Sequence, residues 1–81
     1  MKGLNLNQNS TLSIVMRAIF SLGVGARFMS KDIVEIVKDE KNGTITSLDV
    51  ALAIKKTDGE YVRIVTNDKN AHIYEVIKVV Q

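Results

Sequence analysis

Apolar residues return at helical spacing early in the chain. Leu12, Val15, Met16, Ile19 and Leu22 fall on one side of a helical repeat, with Ser13, Arg17 and Ser21 opposite. The pattern predicts a first helix over residues 11–22. Asn9 or Ser10 offers its N-cap, and Gly23 and Gly25 supply the stop and the turn. The preceding residues 1–9 are Asn-rich and lack the pattern. They read as a flexible arm or short strand carrying Leu4 and Leu6. After the turn, Phe28-Met29 offers a two-residue strand. Ser30 is then the expected cap of a second helix, residues 31–38, with Ile33, Val34, Ile36 and Val37 on one side. Residues 39–43 are turn formers.

Residues 44–56 fit two periods. In a strand, Leu48, Val50, Leu52 and Ile54 alternate with Asp49, Ala51, Ala53 and Lys55. In a helix, Thr46 caps, Asp49 stands three residues on, and Leu48, Val50, Ala51, Leu52 and Ile54 form a wide apolar arc. Thr46, Asp49, Ala53 and Lys56 are then the exposed stripe. Ala and Lys are depleted in strands, so helix is the expectation over 46–56. Leu48, Leu52 and Ile54 are expected inside. Residues 60–66 and 71–79 are rich in β-formers. The turn formers Asn67, Asp68, Lys69 and Asn70 lie between them, which predicts a β-hairpin. On the first strand Tyr61 and Arg63 are expected on the face opposite Val62 and Ile64.

Length and composition narrow the class of function. Eighty-one residues make one small domain. There is no cysteine, hence no disulfide, thiolate metal site or thiol nucleophile, and one histidine, His72, cannot form a metal cluster by itself. No Ser/His/Asp spacing, P-loop or metal motif appears, so neither enzyme activity nor a cofactor or small-molecule ligand is expected. No apolar run reaches membrane-span length, and a cytoplasmic protein is expected. The net charge is +2. Residues 1–30 contain Lys2, Arg17 and Arg27 and no acid, a bias that permits nucleic-acid binding without demanding it.

The order helix, short strand, helix, turn, helix, hairpin resembles a winged helix-turn-helix domain, over roughly residues 10–78. Three stretches carry the resemblance: LSIVMRAIFSLGVGARFMSKDIVEIV, ITSLDVALAIKK and EYVRIVTNDKNAHIYEVI. It implies an α+β fold over residues 10–81, with three helices followed by a two-stranded antiparallel wing. Residues 39–45 are longer than a compact helix-turn-helix link, and the third helix has no arginine.

By that resemblance, the third helix enters the major groove of double-stranded DNA and the hairpin is the wing. The chain is then a small sequence-specific transcriptional regulator. The implied contacts are Thr46, Ser47, Asp49, Ala53, Lys55 and Lys56, with Arg63 and Lys69 from the wing. Ala53 would touch a thymine methyl, and Asp49 either accepts from cytosine or serves the helix start. Arg17 and Arg27 are further phosphate-contact candidates. A homodimer is expected, through the first helix, Leu4 and Leu6, or Val79-Val80. The alternative is a winged-helix-like module that binds another protein and not DNA. Asp49 and the near balance of charge favour it.

Overall fold

A computed structural model of the chain describes residues 10–67 and 72–80. Helix α1 is Thr11–Ser21. It starts where the Ser10 hydroxyl accepts the Ser13 N–H at 3.0 Å. It ends at Leu22, and Gly23 then takes a positive φ of 90° that a side chain would resist. Ile14, Val15, Met16, Ala18 and Ile19 are buried, as is Ser13, which the spacing assigned to the outer face with Arg17. No hydrogen-bond partner of the Ser13 hydroxyl lies among the described residues.

Strand β1, Arg27–Phe28, sits one residue before the expected Phe28-Met29 pair. Helix α2, Ser30–Ile36, is capped by Met29 and not by Ser30. The cause is Asp32, whose carboxylate accepts the Met29 N–H at 2.8 Å and fixes the helix start one residue early. Ile33 and the following Val37 are buried, while Ile36, expected inside, is exposed. A 3-10 turn, Glu40–Gly43, reverses the chain, with Lys41, Asn42 and Gly43 all left-handed.

Helix α3 is Ser47–Lys56, with Thr46 as N-cap. The helical expectation for this stretch is met, but its inward face differs. Val50, Ala53 and Ile54 are buried, together with Thr57 just beyond the helix. Their spacing of three, four and seven residues defines one face. Leu48 and Leu52, expected inside, lie on the opposite one. The small Ala53 side chain occupies the core-facing position instead.

Strands β2, Val62–Asn67, and β3, His72–Val76, form the hairpin. The sheet is antiparallel in the order β1-β3-β2, three strands where a two-stranded wing was expected. Arg27 pairs with Glu75 and Phe28 with Tyr74. Val76 extends the seam, donating its N–H to Ala26 and accepting that of Gly25. In the hairpin Val62 opposes Val76 and Ile64 opposes Tyr74. A bulge separates Ile64 from Thr66.

One core joins the layers. Met16, Ile19, Ile33, Val50, Val62 and Val76 are almost inaccessible to solvent. The base of the hairpin is covered on both faces. Tyr61, expected on the outer face with Arg63, is buried edge-on against Phe20 at 5.3 Å. Val62, on the other face, is buried as well. Farther along, Arg63 and Ile64 both emerge. Distance from the helical layer, more than strand alternation, therefore sets burial here. The architecture shown is α+β, three helices and a three-stranded antiparallel sheet.

Candidate interaction surface

The residues expected to read DNA scatter when placed in space. Thr46 and Asp49 close the start of α3 on each other. The Asp49 carboxylate accepts the Thr46 N–H at 2.9 Å, and the Thr46 hydroxyl accepts the Asp49 N–H at 3.3 Å. The same hydroxyl lies 3.2 Å from the carboxylate. Both side chains are thus engaged in satisfying helix-start donors. Ala53 is 3% exposed and cannot reach a base, because its methyl packs into the core. Ser47 is exposed on the first turn.

Lys55 and Lys56 are exposed in the last turn of α3, where the helix dipole favours cations. Among the described residues neither forms a salt bridge. They point to different sides. Lys55 borders a cleft toward the sheet, and Lys56 borders a smaller one toward the start of α1. Arg63 is exposed, but its guanidinium pairs with Glu75 across the hairpin. Lys69 and the arm residues Leu4 and Leu6 lie outside the described residues. Arg17 on α1 and Arg27 on β1 are exposed. His72 is exposed with its ring 6.0 Å from that of Tyr74. Tyr74 is buried and stacks on Phe28 at 5.4 Å.

What α3 presents to solvent is largely apolar. Leu48 is 66% exposed and Leu52 44% exposed, with Ala51 and Lys55 on the same side. Ile64 on β2, 51% exposed, stands across a cleft of about 440 Å³. Ile54, Val62 and Tyr74 line its interior. Ala51, Lys55 and Asp58 also border it. That volume falls in the range of sites that accept a ligand or a few side chains. Leu52 borders the smaller cleft toward α1, with Asp49 and Lys56, and exposed leucines one turn apart form a surface suited to association. The sequence signal for it was present as an excess: residues 48–54 carry more apolar positions than one helix face can bury.

Among the described residues no group of three His, Cys, Asp or Glu side chains could hold a metal ion. No helix among them is long and apolar enough to cross a membrane. Compared with protein-family models, with curated proteins and with solved structures, the chain matches none.

Proposed function

We propose that this chain is a winged-helix-like binding module, without catalytic activity of its own, that docks a protein partner on the outer face of α3. The observation that carries the proposal is the exposure of Leu48 and Leu52. Leucine has no hydrogen-bonding group for a base edge, whereas apolar anchors on a helix are the usual means of engaging a protein. The chain order supports the winged-helix comparison, since a short strand after the first helix joins the hairpin sheet. A cytoplasmic setting fits a cysteine-free chain that needs no oxidising compartment.

Transcriptional regulation through double-stranded DNA is the second reading, favoured by the exposed Lys55 and Lys56. Against it stand Ala53 in the core and Thr46 and Asp49 in the cap. A homodimer is compatible with either. The apolar stripe of α1 is occupied in the core, so Val80 and the α3 face are the better contacts for a second copy.

Two measurements test this. A photo-crosslinker placed at Leu48 is expected to give protein adducts in cells of the source, and one placed at Glu35 is not. Binding to random duplex DNA over a salt series is expected to vanish by moderate salt. Tight duplex binding whose salt slope falls by about one for each of Lys55→Ala and Lys56→Ala overturns the protein reading in favour of DNA.

A further inference from the structure

The cleft beside α3 opens next to a strand edge that no other described strand covers. Among the described residues β2 is the outer strand of the sheet and bonds to β3 alone. The ladder fixes which of its backbone groups are free. Val76 turns its N–H and C=O toward β1, bonding Ala26 and Gly25, while Ile77 donates to the Tyr61 carbonyl at 2.8 Å. Arg63 opposite Glu75 is therefore the hydrogen-bonded pair. Val62 and Ile64 aim their N–H and C=O groups away from β3. The bulge after Ile64 ends this regular edge.

We infer that the partner docks here as an extended segment, adding a fourth strand to β2, with an apolar side chain in the cleft and a carboxylate on Lys55. This rests on the protein-docking function proposed above and names the chemistry of the partner. Strand addition takes its affinity from main-chain bonds and its specificity from pockets for alternate side chains. Both parts are present. Val62 and Ile64 supply the free edge, and their side chains face the cleft formed with Ala51 and Ile54. A side chain from the added strand, on that same face, enters over Tyr74.

Charge sets the sign of the flanking residue. Lys55 stands at the mouth without a carboxylate in salt-bridge range among the described residues. Arg63 is paired with Glu75, leaving Lys55 as the cation available to an incoming acid. Asp58 borders the same cleft, so a basic residue there is the competing arrangement.

The test uses the full chain and three blocked seven-residue peptides. The first places aspartate two residues to either side of a central isoleucine, on the same strand face, with threonine between them; the second has lysine in place of aspartate; and the third is the aspartate peptide with a central proline. Amide spectra and hydrogen exchange report binding. The aspartate peptide is expected to shift the Val62 and Ile64 amides. At ten times its Kd it should slow Ile64 exchange by about tenfold. The lysine peptide is expected to bind about fivefold more weakly, an order that Lys55→Glu reverses. The proline peptide and the variant Ile64→Asp, whose dispersed spectrum verifies folding, are expected not to bind.

Binding that shifts Leu48 and Leu52 but leaves exchange at Val62 and Ile64 unchanged overturns strand addition and leaves docking on α3 intact. No shift with any peptide at millimolar concentration overturns the inference outright. Protection at these amides that grows with protein concentration alone makes a second copy the occupant and overturns a separate partner. The duplex salt series separately tests protein docking itself.

Discussion

Substituting lysine at Ala53 and at Leu48 tests the orientation of α3, on which the docking surface depends. Ala53 is 3% exposed, so a lysine there must bury its stem and either its charge or the cost of neutralising it. An unpaired buried charge costs several kcal/mol, and forcing extra methylenes into a filled site adds about 1–3 kcal/mol. A domain of this length holds roughly 4–12 kcal/mol in all. Ala53→Lys should therefore remove most of the stability. Leu48 is two-thirds exposed. Full burial of a leucine is worth about 1.5–3 kcal/mol, so Leu48→Lys forfeits under about 1 kcal/mol. Urea melts followed by far-UV circular dichroism separate the two. With a slope near 1 kcal/mol per molar, Ala53→Lys loses several molar of midpoint or is unfolded without urea, and Leu48→Lys moves less than about 1 M. A stable Ala53→Lys beside an unfolded Leu48→Lys would refute the orientation and remove the docking surface with it.

Other substitutions probe other parts of the molecule. Ser13→Ala removes a buried hydroxyl that lacks a partner among the described residues and adds helix propensity. A gain of about 1 kcal/mol is expected in urea, and a loss would show that the hydroxyl has a partner outside them. Lys41→Gly relieves a left-handed backbone at φ 49° and should raise stability by about 0.5–1 kcal/mol in the same melts. Thr46→Ala and Asp49→Ala should each cost about 1 kcal/mol, with the double variant costing less than their sum, because each side chain serves the other's N–H. Arg63→Ala should change the stability by under about 1 kcal/mol in the same melts, since its pair with Glu75 is largely solvated on the arginine side.

The element order was legible because each signal was local. Ser10, the glycines after Leu22, the Thr46–Asp49 pair and the turn formers between the β-rich runs marked ends that the structure keeps close to place. Orientation was less legible. In α3 both leucines fell within a wide apolar arc, yet the core accepted Val50 and Ala53, and only packing against α1 and α2 decides between those faces. Ser13 shows the same limit, a polar residue drawn inside by its position on α1. Tyr61 was misplaced because strand alternation presumes one covered face, and Phe20 of α1 covers the second. The third strand was visible only as a short β-rich pair, since its partner lies far along the chain. Of the expected contact set, Thr46, Ser47, Lys55, Lys56 and Arg63 are exposed, Asp49 is half-buried and Ala53 is buried. The exposed leucines were visible as residues but not as a surface.

The seam between β1 and β3 orders the folding of the molecule in time. Phe28 and Tyr74 are roughly 46 positions apart in the chain, while Ile64 and Tyr74 are roughly 10 apart. Loop closure grows as the logarithm of that separation, so the seam costs about 1.4 kcal/mol more chain entropy than the hairpin, near a tenfold difference in equilibrium. The hairpin can therefore form by itself in microseconds, whereas the Arg27–Phe28 rung waits until the helices are assembled. Substitutions at Phe28 should then speed unfolding and scarcely slow folding, and those in the helical core should do the reverse.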